Sequence, residues 1–412
     1  MNLKNLFKHS LVRNTVSSFL ICCVLWGFSG TALVWKFESP GFDWLVQMRQ
    51  FSLPKGSDVP VALLEIDEEV YNKWHEPYHI PRDKLLQLIR YAVQGKSRLI
   101  VVDVDLVKEG LSKEDDQTLM AYIGSYEGDT GIIFIKQVPP DGRSRASFLD
   151  TAIDRSANTV WASAVFYKDG DSVIRRGPLW SNLITPQKNH YLISVQLSAK
   201  YFLDGSESLE DAQLRSMKDV SNRLRVPVQK IVYGIPWHLE SGQAAPIVPD
   251  TNGQTPLFSR RSVLAITESE QPVNSDWLSD HVTIIGASYE SERDNHTTVL
   301  GEMPGFIIIA NAIHSLRSFG EIKSPPLPVL IAIMTAVVVS MSYAFTIFPS
   351  ALGIVVSGML FILALIPLSY YMLGLGLWFN FAIPLVAVQL MHLAFKLSAM
   401  VNISVFMSKD PE

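Results

Sequence analysis

Leu99-Ile100-Val101-Val102-Asp103-Val104-Asp105 decides the fold: an apolar run too short for a helix ends in two acids. A continuous apolar run of this length reads as a strand covered on both faces, the pattern of a parallel sheet rather than of a half-exposed one. Upstream, Val61-Ala62-Leu63-Leu64-Glu65-Ile66 is a second such strand, ending at Asp67. Between the two, Arg82 to Gln94 places Leu85, Leu86, Leu88, Ile89, Ala92 and Val93 on one helical face, with Gly95 where a C-terminal cap is wanted. Downstream, Ser112-Lys113-Glu114-Asp115 has capping-box spacing and opens a helix through Leu119, Met120 and Ile123, and Gly131 to Ile135 is a third strand. Strand, helix, strand, helix, strand predicts an α/β domain with a largely parallel or mixed sheet.

The following stretch is less regular. Thr159–Tyr167 and Ser172–Arg176 flank Lys168-Asp169-Gly170-Asp171 and read as a hairpin, Tyr191–Phe202 reads as a helix, and Asp204 to Ser259 is turn-rich. Val282 to Ile285, with His281 before it, is a strand running into Gly286-Ala287-Ser288; after a loop, Pro304-Gly305 leads into a helix through Asn311 and Leu316.

Charge is missing at the two ends of the chain. Asn14 to Trp35 carries no charged residue, and neither does Ser324 to Phe395. One crossing of a ~30 Å hydrocarbon core takes about 20 apolar residues. The predicted organisation is therefore a cytoplasmic N-terminus over 1–14, a transmembrane helix over 15–35, and an extracytoplasmic domain over 36–323. Three more helices follow at 327–347, 351–373 and 377–397, with breaks at Phe348-Pro349-Ser350 and Gly374-Leu375-Gly376, then a short cytoplasmic tail over 398–412. Lys4, Lys8 and Arg13 before the first span orient the N-terminus inward. Gly27-Phe28-Ser29 resembles a signal-peptide cleavage site, but the length of the run and the Trp35-Lys36 flank favour an uncleaved anchor.

Charged residues are 18% of the chain, below the ~25% usual for soluble domains. The net charge of −5 argues against a nucleic-acid binder. Two adjacent cysteines, Cys22 and Cys23, build neither a disulfide framework nor a thiolate zinc site.

Ligands of parallel α/β sheets sit outside the carboxyl ends of the strands. Asp67, Asp103 and Asp105 occupy such ends, and Asp294-Asn295-His296-Thr297-Thr298 is the densest polar cluster near the domain's C-terminus. The candidate ligand-binding residues are Asp67, Arg82, Asp103, Asp105, Asp294, His296 and Thr298. For the acids the competing role is capping turns and helix starts. Arg82 has the competing role of an ion pair with Asp67 or Asp103, and the 294–298 cluster that of a hydrogen-bonded loop. Asp115 and Asp116 stand in a first helical turn, where negative charge is stabilising. Asp103-Val104-Asp105 also matches the opening of aspartyl phosphatases, without the later Lys and acid pair. No cofactor is expected, and a metal remains undecided because Asp294 and His296 supply only two local ligands.

These residues resemble the type-2 CHASE family, extracytoplasmic sensory domains associated with bacterial cyclases and histidine kinases. The resemblance is carried by Phe42-Asp43 with Arg49, Ile66-Asp67-Glu68, Pro81-Arg82, Val102-Asp103-Val104-Asp105 and Asp115-Asp116. It continues with Ile285-Gly286-Ala287, Asp294-x-His296-x-Thr298, Met303-Pro304-Gly305 and Ala310-Asn311-Ala312. Val299 stands where the family tends to have Pro, and His79-Ile80-Pro81 where a Trp-Pro pattern is common. The resemblance implies a non-enzymatic sensor or docking protein of the bacterial inner membrane, its main domain periplasmic or extracellular. A cytoplasmic effector usually follows in the family and is not expected here, so the signal would pass to a separate membrane, cytoplasmic or envelope-complex protein. A homodimer fits this build. The alternatives are a scaffold subunit of an envelope complex and an extracytoplasmic phosphatase-like hydrolase.

Overall fold

Strands that bury both faces assemble side by side only if helices cover them, and the four apolar runs do so. The computed structural model describes residues 10–27, 32–49, 59–139, 141–143, 145–184, 189–221, 227–237, 247–248, 255–269, 271–290, 294–348 and 350–379. The chain divides into two compact units, one from Val46 to Glu321 and one joining residues up to Leu45 with those from Ile322.

The larger unit is built on a six-stranded sheet. Its spatial order is Phe258–Ser262, Val61–Ile66, Val282–Ala287, Leu99–Asp103, Gly131–Ile135, Thr159–Ala162, and every pairing is parallel. Val282–Ala287 inserts between the first two strands of the sequence, so that Glu65, Gly286 and Asp103 lie side by side in register. Helices Arg82–Gln94 and Lys113–Gly124 cover one face, burying Leu85, Leu88, Ile89, Leu119 and Ile123 against Leu64, Ile100 and Ile132. Helix Gly305–Phe319, with helix Val195–Leu203 packed on it, covers the other face. The helix opened by Ser112 is capped as its spacing predicts, since Ser112 Oγ accepts from Asp115 N–H at 3.2 Å.

A second, mixed sheet lies in the same unit. Its order is Gly301–Pro304, Asn295–Thr298, Ile174–Pro178, Tyr167–Lys168, and Val228–Lys230 pairs with Ile174–Pro178. The expected hairpin around Lys168–Asp171 is real but short, because Thr159–Ala162 belongs to the main sheet instead. The helix expected over Tyr191–Phe202 starts only at Val195; Asn189–Ile193 before it pairs with Trp180–Ile184. The turn-rich stretch contains a helix, Leu209–Ser221.

In the smaller unit, helix Leu327–Ile347 packs against Ser10–Gly27 and against Ser350–Leu360. The run continues helically through Phe361–Leu365 and Ile366–Gly374. Over the expected first helix at 15–35 the described elements are Ser10–Gly27 and Ala32–Arg49, and residues 28–31 lie outside the described residues. Glu38 accepts from Trp378 Nε1–H at 2.6 Å, and the Phe42 and Trp378 rings meet edge to face at 5.2 Å. Among the described residues no helix is long and apolar enough to cross a membrane. In Leu327–Ile347 the described side chains run unbroken only as far as Ser340, and most of the expected span 377–397 lies outside the described residues. The four crossings are therefore not shown by the described helices.

Candidate functional site

A cleft of about 660 Å³ opens at the carboxyl ends of the parallel strands, where the topology of such sheets leaves a crevice. Four of the seven expected residues line it: Asp103, Asp105, Asp294 and His296. Asp103 reaches it because, two residues after Val101, it points to the face covered by helix Gly305–Phe319. Asp105 is exposed, and its Oδ1 accepts from Val107 N–H at 3.0 Å, which shapes the turn below the rim.

Asp294 and His296 arrive from the second sheet. His296 Nε2 lies 3.0 Å from Asp294 Oδ1, while its Nδ1 is shielded from solvent with no hydrogen-bond partner among the described residues. Asp294 also sits against the N-terminus of helix Gly305–Phe319: its backbone oxygen accepts from Gly305 N–H at 3.0 Å. Its carboxylate occupies the space a side chain at 305 would need, so any larger residue there would displace the carboxylate. A carboxylate at that end of a helix is favoured by the backbone dipole.

The other three expected residues stand outside the cleft lining. Asp67 caps helix Glu68–Lys73, its Oδ1 accepting from Val70 N–H at 3.0 Å. Thr298 is buried in the turn of the hairpin, donating to the Gly301 carbonyl at 2.7 Å and accepting from Leu300 N–H. Arg82 is buried and pairs with neither Asp67 nor Asp103. Its Nε lies 3.6 Å from Asp116 Oδ1, and its terminal nitrogens donate to the carbonyls of Ile80, Asp105 and Lys108 at 3.1 to 3.3 Å. Asp116 in turn accepts from Gly110 N–H through both oxygens. Burial pulls the Arg82 pKa below the usual guanidinium value, and Asp116, then Asp105, oppose that pull. Arg82 thus holds the 105–110 loop from behind. Asp116 is a partner that its place in a first helical turn did not reveal.

The sequence reading missed the basic residues of the cleft. Lys108, Lys136, Arg145 and Lys168 come from four separate segments, and no local spacing unites them. Lys136 is buried, with Nζ 2.8 Å from Asp150 Oδ1 and 5.0 Å from the centre of the Trp161 ring. The other three are exposed. Among the described residues no group of three or more His, Cys, Asp or Glu could hold a metal ion. The arrangement can hold a polar ligand carrying charge of either sign.

The sequence pattern of the CHASE2 domain matches residues 18–347, about four-fifths of the chain. The chain belongs to the CHASE2 domain family. CHASE2 domains are extracytoplasmic sensory domains. No curated protein and no solved structure matches the chain. Several residues that carry the CHASE2 resemblance build the walls rather than the lining of the cleft. Arg82 and Asp116 fix the 105–110 loop, and Gly286 lets Phe306 approach the sheet. The Asn311 side chain accepts from the N–H groups of Gly234 and Ile235 at 2.9 and 2.8 Å and donates to the Ile235 and Ile307 carbonyls.

Proposed function

We propose that this chain is a non-enzymatic sensory or docking protein anchored in the bacterial inner membrane. Its large unit detects a ligand or partner outside the cytoplasm and passes the state of the cleft to a separate protein. The observation that carries this reading is the strand-end cleft with Asp103, Asp105, Asp294 and His296 on its lining, in a chain of a sensory family. The anchoring is supported by apolar side chains exposed on the smaller unit's helices, Leu327, Val329, Ile331 and Val339 on one and Leu352, Val355 and Met359 on the next. In water, contiguous exposure of this kind marks a surface meant for an apolar partner. The sequence of Leu327–Ile347 carries no charged residue, the composition an apolar surround calls for.

Two measurements test the reading. A Leu111→Cys variant, in a chain with Cys22 and Cys23 replaced by Ser, puts a thiol at a site 84% exposed on the large unit. A membrane-impermeant maleimide should label it in intact cells, and labelling only after lysis refutes the orientation. Affinity purification from native membranes should bring a stoichiometric partner whose association changes when Ala164→Trp fills the cleft. A partner retained equally by both proteins would favour a fixed scaffold instead.

A further inference from the structure

The acids of the cleft are engaged, and three of its bases are not. Asp103 has a partner of its own, Asp294 Oδ1 lies 3.0 Å from His296 Nε2, and Asp105 Oδ1 accepts from Val107 N–H. Among the bases, Lys136 is buried against Asp150. Lys108, Arg145 and Lys168 are exposed on the lining and make no ion pair or side-chain hydrogen bond among the described residues. Acids stand close to them in the chain, yet the fold commits these elsewhere. Asp169 and Asp171, just after Lys168, are both held by Arg175, and Asp169 also by Arg176 at 2.9 Å. Asp141, before Arg145, faces Arg143, and Asp150, after it, faces Lys136. Asp116, beyond Lys108, is taken by Arg82 and by Gly110 N–H, and Glu109 stays off the lining. Three cations from three segments thus share a predominantly polar cavity of about 660 Å³, with Asp105 the one fully exposed acid beside them.

Resting on the sensory reading above, we propose that the cleft binds a small organic oxyanion with two or more negative charges, a polycarboxylate or a phosphate ester. Arg145, Lys168 and Lys108 hold it. A cavity of this size is that of a small-molecule site, with room for more than a bare ion. Arg145 offers a planar fork that takes two oxygens of one carboxylate or phosphate, and the two ammonium groups act as point charges on the rest. One exposed ion pair is worth little. Several like charges around one concavity focus their field and raise the local concentration of an anion. A neutral ligand would strip water from the three cations and return nothing, a cost that rises steeply for ions. A cationic ligand would meet like charge.

The probes are citrate and glycerol 3-phosphate, titrated calorimetrically into the full chain in detergent, with triethyl citrate and spermidine as the neutral and cationic comparisons. Binding of citrate alone assigns a polycarboxylate, and of glycerol 3-phosphate alone a phosphate ester. Either affinity should fall as NaCl is raised. Arg145→Gln and Lys168→Gln break no side-chain contact among the described residues. Each should weaken binding about two- to fivefold, while Lys168→Arg keeps the wild-type affinity. Equal binding of triethyl citrate overturns the proposal, as does unchanged affinity in both Gln variants. A small-molecule extract of the cell envelope, split on an anion exchanger, covers other anions and separates this failure from that of the sensory reading. A retained fraction that raises the Tm of the wild-type chain and not of Ala164→Trp supports the proposal. If neither probe binds and only the unretained fraction acts in this way, the anion falls and the sensory reading stands. If neither probe binds and neither fraction acts, both fall.

Discussion

His314, on helix Gly305–Phe319, gives the large unit a defined sensitivity to acid. The ring is 6% exposed, with Ser318 Oγ 3.3 Å from Nδ1 and the Gly234 backbone close to Nε2. Burial lowers its pKa from the ordinary 6.5 to about 4, so the native state holds it neutral. In the unfolded chain the ring takes a proton as pH falls through 6.5; in the native state it does so only near 4. Between those values the unfolded state binds more protons, so stability falls as pH falls, by about 1.4 kcal/mol per pH unit. The whole interval amounts to about 3 kcal/mol, and below the native pKa the loss levels off. Many carboxylates titrate in the same region, so the informative quantity is the difference between the wild-type chain and His314→Leu. Urea unfolding followed by tryptophan fluorescence, repeated from about pH 7 to about pH 4, should show the wild type losing about 3 kcal/mol more than the variant. A difference constant to about 0.5 kcal/mol across that range would refute the burial argument.

Three further outcomes follow from the walls of the cleft. Arg82→Met leaves Asp116 buried without its partner and should cost about 3–5 kcal/mol in urea unfolding, part of which Asp116→Asn should restore in the double variant. Asn311→Ala strips two buried backbone N–H groups of their acceptor. It should cost about 3 kcal/mol, with faster hydrogen exchange confined first to Gly234 and Ile235. Gly286→Ala drives a methyl group into Phe306 and should lower Tm by several degrees, about 1–3 kcal/mol of overpacking. Pairing it with Phe306→Leu should recover much of the loss.

The parallel strands were legible because burial on both faces writes itself as an unbroken apolar run, as at Leu99–Val102 and Val61–Leu64. Their spatial order was not, since nothing local to Val282–Ala287 says that it separates two strands from the other end of the domain. Asn295–Thr298 is a strand made of polar residues, three of its four side chains open to some solvent, and it carries no apolar alternation to mark it. Helix Leu209–Ser221 buries Leu209, Ala212 and Ser216, a face too weakly apolar to stand out. At the site, short acids after strands are equally suited to capping and to binding. The structure divides them, Asp67 to a helix cap and Asp103 to the cleft. The basic side escaped because its cations are spread from Lys108 to Lys168 with no local spacing that unites them, and only the fold brings them together.

The insertion of Val282–Ala287 also governs how the domain is made. Val61–Ile66 and Leu99–Asp103 do not pair with each other; the strand that joins them is among the last parts of the large unit to be synthesised. Until it arrives, both strands present unpaired edges, and closing the sheet requires contacts between the two ends of the domain, a slow kind of topology. A chain synthesised N-terminus first therefore spends much of its synthesis as a half-sheet open to mispairing. Truncations ending before Val282 should aggregate rather than yield a smaller domain, and the nascent chain is a natural client for chaperones until that strand is made.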